Sequence, residues 1–285
     1  MDELDVLILE LDEAVKRGAN KAKAERMVRP LELAMRKGFR LQGSLFVRKL
    51  RTLKAKFSES TSNDPWEAHA LLLEAAFKEA VTPADWQKAW YEVEQATLKL
   101  FSAPIEKAVK KALEIGALAQ IADLGLGIKW DLKNPSALGY LDNYGAAMVT
   151  NINETTRDIL QTLISQAAEE GWSYQRTAEA ITERFEQFAV GKPQEHIDSR
   201  AHLVAVTEIG NAYTEGNLIV ARDLAEAGIG VEKAWDTVGD GKVSEGCLEN
   251  QDAGWIDVND VFPSGHQRPL RFPGCRCDLL TRIKQ

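Results

Sequence analysis

Apolar side chains near the start of the chain recur at steps of three and four residues. The first stripe is Leu4, Leu7, Leu11 and Ala14, and a second one is Phe46, Leu50, Leu53 and Phe57. Because an α-helix turns once in about 3.6 residues, each stripe lies on one helical face. Around the second stripe, Lys and Arg fall largely on the other faces of the same helix. This segment is therefore predicted to be a basic amphipathic helix.

Capping residues and glycines divide the middle of the chain into further helices. The predicted starts are Asp64–Pro65, Thr82–Pro83, Pro104 and Asn153. Asp, Thr and Asn side chains cap helix N-termini, and proline fits the first helical turn. Glycines such as Gly125 and Gly171 are predicted stops. A last long helix is predicted over about residues 197–227, where Thr207 and Glu208 are interpreted as packing or capping residues.

After Gly228 the helical spacing gives way to β-forming residues separated by turns. Strands are predicted within 231–238, 255–258 and 268–283, with a hairpin turn at Asp240–Gly241. The expected fold class is α+β and predominantly α-helical, with a long helical body and a small β-rich C-terminal cap. The expected domains are a basic helical arm (1–60), a helical body (64–194), and the long helix with the cap (195–285).

Charge is distributed unevenly along the chain, whose formal net charge is -8. Residues 16–56 carry fourteen Lys and Arg against Glu25 and Glu32, a local net charge of +12. The predicted contact residues are Arg36, Lys37, Arg40, Arg48, Lys49, Arg51 and Lys54, with Arg268 and Arg271 as a second patch. They could bind phosphates of double-stranded DNA without sequence preference, or an acidic protein surface.

Other features of the composition exclude some classes of protein. No run of about 18 apolar residues occurs, so no membrane span and no signal peptide are expected. Three cysteines, all within the last forty residues, do not suit a disulfide-stapled secreted scaffold and point to a reducing cytoplasm.

Four residues near the C-terminus could hold zinc. Cys247, His266, Cys275 and Cys277 supply the number of donors that a tetrahedral zinc ion requires, although Cys-x-Cys is a less common chelate than Cys-x-x-Cys. Buried thiols without a metal, or a disulfide from Cys247 to a later cysteine, remain alternatives. A Cys247–His266 nucleophile pair with Asp252 or Asp257 has no supporting pattern, so no catalytic residue is assigned.

Several ordered blocks between about residues 129 and 283 resemble the phage Mu protein F-like family of minor head and head-morphogenesis proteins. The blocks are Trp130–Pro135, Ile152–Arg157, Glu170–Ser173, Ala205–Glu208 with Asn211, Ala212, Tyr213 and Gly216, Lys233–Trp235 with Asp240, Val243 and Cys247, and Pro273–Cys277. Two positions depart from the family's pattern. Ser244 stands where the family commonly has a first cysteine, and Phe272 where it has a histidine, which weakens the zinc site that the resemblance implies.

The resemblance implies a minor capsid protein of a tailed bacteriophage that is not an enzyme. Its expected partners are the portal and the capsid or scaffold proteins, with possible contact to packaged DNA, and its expected location is the virion. An enzyme on the same framework, toxin-like or ADP-ribosyl-transferring, is one alternative. A free DNA-binding or zinc module is another.

Overall fold

Six helices of eight or more residues and three short strands lie in the described part of the chain, which also contains a short helical stretch over residues 21–25. The computed structural model describes residues 18–19, 21–59, 83–172, 174–191 and 199–284. The helices are α1 (Val28–Glu59), α2 (Pro83–Asp123), α3 (Pro135–Glu169), α4 (Tyr174–Val190), α5 (Arg200–Glu226) and α6 (Glu245–Asp252). The strands are β1 (Val231–Asp236), β2 (Ile256–Asp257) and β3 (Asp278–Ile283). The predominantly helical α+β class predicted from the sequence is confirmed.

The three strands form one antiparallel sheet in the order β2-β1-β3. β1 pairs along its whole length with β3, from Val231 opposite Ile283 to Asp236 opposite Asp278. The connection from β1 to β2 contains α6, so Asp240–Gly241 is not the tight hairpin turn that the sequence predicted. Asp240 instead accepts a hydrogen bond from the backbone N–H of Lys242 and pairs with Arg276. The sequence also gave no indication of α6.

Two predicted helix starts are wrong, because both lie inside continuous helices. Pro104 lies within α2. A proline there removes one backbone donor, but the buried stripe continues through Phe101 and Ile105, and its burial offsets that loss. Asn153 lies within α3, where its side chain is buried and accepts a hydrogen bond from Gln42. The predictions that fall on residues 1–17 and 60–82 lie outside the described residues.

Other helix boundaries have local causes, and the stop predicted at Gly171 is confirmed. Asn134 caps α3, since its Oδ1 accepts the backbone N–H of Ser136 at 2.9 Å and Pro135 occupies the first helical position. Gly171 follows the end of α3 with a φ of +66°, and Gly228 follows α5 with a φ of +86°. Both values lie in the left-handed region, which favours glycine.

The chain forms two compact units, each built from segments distant in sequence. The first, here called the aromatic unit, comprises residues 33–103 and 146–201. The second, the cysteine unit, comprises the described part of 1–32 together with 104–145 and 202–285. This division differs from the three consecutive domains expected from the sequence, because the long helices carry distant segments into each unit.

Aromatic side chains form the core of the aromatic unit. Phe39 on α1 lies 5.2 Å from Phe101 and 5.6 Å from Phe188, measured between ring centroids, and Phe46 lies 5.6 Å from Trp90. Residues 33–52 of α1 therefore belong to a packed core, and the expected separate basic arm is wrong for them. The physical reason is the apolar face of α1, whose burial contributes roughly 2 kcal/mol for each large side chain.

In the cysteine unit, α2 and α5 approach closely at two glycines. A Cβ atom on Gly116 would overlap the carbonyl of Tyr213, and one on Gly216 would overlap the carbonyl of Leu113. The absence of side chains at both positions therefore permits the close packing. Beside these helices, the sheet and α6 enclose a buried cluster that contains Trp235, the three cysteines, Val258, Phe262 and Leu279.

Candidate functional site

The three cysteines lie together inside the cysteine unit. The Sγ atoms of Cys247, Cys275 and Cys277 all lie within 4.8 Å of one another, and all three residues are buried. Cys247 and Cys275 are 3.9 Å apart between Sγ atoms. Antiparallel pairing of β1 with β3 places Cys275 and Cys277, which precede β3, beside α6 and its Cys247. This group of three thiols is here called the cysteine cluster.

Local turns fix the positions of the cluster's chain segments. Gly274, with a φ of +80°, makes a turn in which the N–H of Cys275 donates to the carbonyl of Phe272 at 3.1 Å. The N–H of Gly274 donates to Thr207 Oγ1 on α5 at 3.0 Å. On the other side, Ser244 precedes α6 in an extended conformation, and Cys247 lies in the first turn of that helix. The cluster is therefore held by α5, α6 and the start of β3.

A hydrogen bond between two of the thiols shifts the pKa values of Cys275 and Cys277 in opposite directions. The Cys277 thiol donates to Cys275, which lowers the pKa of Cys275 to about 5 despite its burial, and backbone N–H groups of Cys277 and Arg271 act in the same direction. The same hydrogen bond to Cys275 raises the pKa of Cys277, and burial raises it further. The hydrogen bond from Cys277 therefore favours the thiolate form of Cys275, while Cys277 keeps its proton.

The donor set and spacing suit a metal ion that prefers sulfur. Zn–S bonds of about 2.3 Å in tetrahedral geometry place neighbouring sulfurs about 3.8 Å apart, close to the separation of Cys247 and Cys275. Three buried cysteines that could hold a metal are thus present. A fourth His, Cys, Asp or Glu donor does not join this group within the described residues.

The fourth predicted ligand, His266, lies outside the cysteine cluster. Its Nδ1 lies 3.0 Å from both the hydroxyl and the carbonyl oxygen of Ser264, so this nitrogen is engaged within its own loop. Asp257, an acid considered for a nucleophile pair, forms an ion pair with Lys284. At the positions where this chain departs from the family's pattern, Ser244 accepts a hydrogen bond from Arg271, and Phe272 is half-buried beside the same guanidinium.

Arg268 and Arg271, predicted as a second contact patch, point into the protein. Arg268 pairs with Glu215, donates to Asn211 Oδ1 at 3.1 Å and has a side chain only 14% exposed. Arg271 donates to Ser244 and contacts the ring of Phe272. Both guanidiniums therefore hold the loop that leads to the cysteines. Their positions do not support the prediction that they contact an external partner.

A buried polar network lies beside this loop, and the sequence did not predict it. Glu208 on α5 is 1% exposed, and burial raises the pKa of its carboxyl to about 8, opposed by a hydrogen bond from Tyr144. Asn211 also donates to Tyr144 Oη at 2.8 Å. The signal available in the sequence was an acid on the same helical face as the small apolar residues Ala205 and Ala212.

On α1, some of the predicted contact residues are exposed and others form ion pairs. Arg40 Nε donates to Glu186 at 2.7 Å, and Lys49 Nζ donates to Glu92 at 2.6 Å. Lys37, Arg48 and Arg51 are exposed, whereas Arg36 is half-buried. The side chain of Lys54 lies outside the described part. Lys37, Arg48 and Arg51 fall on one face of α1, here called the basic face.

Comparisons with known proteins add no relative. No model of a protein family, no curated protein and no solved structure matches this chain. Within the described residues, no helix is long and apolar enough to cross a membrane.

Proposed function

We propose that this protein is a minor capsid protein of a tailed bacteriophage, located in the virion and assembled with portal and capsid or scaffold proteins. The support is the ordered resemblance to the Mu protein F-like family between about residues 129 and 283. One structural observation adds support to this proposal: residues of separate blocks contact one another. The N–H of Gly274 in the last block donates to Thr207 of the α5 block.

Further contacts of this kind involve other blocks. Asn134, at the end of the first block, donates to Asp223 on α5 at 2.8 Å. Asn211 of the α5 block accepts hydrogen bonds from Arg268 and from the backbone of Leu270, close to the last block. Residues shared within a family because they hold a common fold are expected to form such contacts. The blocks are thus interpreted as the frame of a head-protein domain.

The test is assembly with the head proteins of the phage that encodes this chain. Co-expression with the portal, scaffold and capsid proteins should place the protein in sedimenting shells, whereas omission of the portal should reduce its incorporation. Failure to enter shells of any composition would contradict the proposal. A substrate turned over by the isolated protein would instead favour the enzyme alternative.

The proposal includes a zinc ion bound by the cysteine cluster. Cys247, Cys275 and Cys277 would hold the metal through sulfur, joining α6 to the segment before β3. Its chemistry there would be structural cross-linking, because the three thiols are buried in the same cluster as Trp235 and Phe262. Metal analysis of protein purified without chelators tests this, and binding in stoichiometric amount is expected.

The basic face of α1 supports a contact with packaged double-stranded DNA. Exposed Lys and Arg neutralise phosphates and release counterions, so affinity should fall steeply with salt. Reversal of Lys37, Arg48 and Arg51 to Glu should reduce the slope of log affinity against log salt by about 3 units. A matched triple reversal on α2, at exposed Lys88, Lys99 and Lys107, serves as control. Equal effects of both triples would contradict a specific contact, and unchanged DNA binding with lost shell entry would indicate an acidic protein surface.

A further inference from the structure

The cysteine cluster holds two thiols on separate elements close enough to be joined. Cys247 lies on α6 and Cys275 in the loop before β3, with 3.9 Å between their Sγ atoms. A disulfide bond is about 2.05 Å long, so rotation of the two side chains with a small backbone adjustment would bring the sulfurs into bonding distance. All three cysteines are free thiols in the structure.

The alternative pair within the cluster is less suited to a bond. Cys275 and Cys277 are separated by Arg276 alone, and a disulfide between them would close a ring across three residues. Such a small ring departs from the Cα separation and dihedral angle that disulfides prefer. Cys277 also continues directly into β3, whose pairing with β1 restricts its backbone. The connectivity expected on oxidation is therefore Cys247 with Cys275.

We propose that Cys247 and Cys275 form a reversible disulfide that excludes metal from the cysteine cluster. The oxidant is a peroxide. One thiolate attacks a peroxide oxygen and becomes a sulfenic acid as hydroxide leaves, and the second thiolate then attacks that sulfur and displaces another hydroxide. With the two thiol protons, the leaving groups become two waters. Two thiols are oxidised to one disulfide, and hydrogen peroxide is reduced to water.

Competition between the disulfide and a metal follows from the number of donors. Thiolates that share an S–S bond no longer act as metal ligands, and oxidation would leave Cys277 as a single sulfur donor. The metal part of this inference rests on the proposed zinc site, whereas bond formation depends only on the positions of the thiols. The small exposure of Cys275, at 7%, and of Cys247, at 1%, predicts slow oxidation compared with an open thiol.

The sequence allows an unambiguous assignment of the bond. Trypsin cleaves after Lys242, Arg271, Arg276 and Arg282, and Pro269 blocks cleavage after Arg268. The three cysteines are therefore released on three different peptides, 243–271, 272–276 and 277–282. Non-reducing mass spectrometry of the full-length protein after hydrogen peroxide treatment should show 243–271 linked to 272–276. The linked mass should equal the sum of the two peptides minus two hydrogen atoms, and a thiol reductant should separate them.

Two single variants provide matched controls. Cys277→Ser keeps the proposed pair and should still form the linked peptide, whereas Cys247→Ser should lose it. A bond between 272–276 and 277–282, or overoxidation of separate cysteines without any linked peptide, would overturn the proposal. So would a bond between 243–271 and 277–282 as the main linked product.

Zinc release is followed in the same samples with a colorimetric zinc indicator. Zinc-loaded protein should release its metal in step with formation of the linked peptide and take it up again after reduction. If the protein binds no zinc but the linked peptide forms, the proposed zinc site fails and the disulfide stands. Zinc retained at full occupancy in protein that carries the bond would overturn the proposed exclusion.

Discussion

The hydroxyl of Thr207 on α5 accepts the backbone N–H of Gly274 at 3.0 Å. Both residues are buried, and the bond ties the middle of a long helix to the turn that presents Cys275. The same hydroxyl donates to the carbonyl of Leu203 one turn earlier, so a single side chain satisfies groups on two segments.

Replacement of Thr207 by Val should destabilise the cysteine unit. Val keeps the volume but removes the hydroxyl oxygen that accepts the buried N–H of Gly274, and the loss of such a hydrogen bond costs about 1–3 kcal/mol. Urea denaturation would measure the loss in the free energy of unfolding. Thr162→Val is the control, because that exposed hydroxyl donates only to its own helix at Asp158 and its loss should change stability little. Equal effects of the two substitutions would contradict this account.

Gly216→Ala should separate α2 from α5. The added methyl group would overlap the carbonyl of Leu113, and overpacking of this kind costs about 1–3 kcal/mol. Gly139→Ala on α3 is the matched control, since nothing lies within 4 Å of its added Cβ. That control should gain about 0.5–1 kcal/mol from helix propensity. Thermal unfolding should therefore shift in opposite directions for the two variants.

Stability should fall as pH rises towards 8 because of Glu208. In the unfolded chain this carboxyl titrates near its ordinary pKa of 4.5, whereas in the fold its pKa is about 8. Between these values the native state binds the proton that the unfolded state has lost, so the free energy of unfolding decreases with pH by up to about 1.4 kcal/mol per pH unit. Below about pH 4.5 both states are protonated, and the contribution becomes constant.

The Glu208→Gln variant should remove that slope while keeping an acceptor for Tyr144. Glu154→Gln, an exposed change on α3, should leave the slope as it is. Lys233 acts in a separate window, because burial lowers its pKa to about 8 from 10.5, so stability from this group rises with pH only above about 8. Denaturation curves from pH 5 to 8 with an unchanged slope in Glu208→Gln would rule out this role of the carboxyl.

Zinc should stabilise the protein through the three cysteines and without His266. At about one hundred times the dissociation constant, a ligand that binds only the native state contributes about 2.7 kcal/mol. The zinc-dependent rise in Tm should disappear in Cys247→Ser and persist in His266→Ala, because the ring nitrogen Nδ1 of His266 is engaged with Ser264. Loss of the rise in His266→Ala would restore the histidine as the fourth ligand.

The sequence predicts best the elements whose signals are local. The stop at Gly171 and the amphipathic pattern of α1 each depend on a few adjacent residues. Pro104 and Asn153 misled the prediction because tertiary packing outweighs their local preferences. At Pro104 a buried stripe continues across the proline, and at Asn153 a neighbouring helix supplies Gln42 as a partner.

The sequence supplies candidate ligands for the site, but it does not show which of them come together. Cys247, Cys275 and Cys277 are candidate zinc ligands in the sequence, whereas the exclusion of His266 depends on a loop conformation that spacing cannot reveal. The internal positions of Arg268 and Arg271 were likewise hidden, since their partners Glu215 and Ser244 are distant in sequence. A positive charge in a sequence does not show whether it faces solvent or an internal acid.

The interleaving of the two units constrains how this chain can be made. The aromatic unit has all of its segments only once residue 201 has been made. The cysteine unit has all of its segments only once the chain is close to residue 285. During synthesis the aromatic side chains of α1 are therefore incompletely packed until α4 has been made, and a ribosome that stops before residue 201 releases neither unit complete. Removal of residues 1–60 has the same effect, since it takes away Phe39 and Phe46 along with the cations.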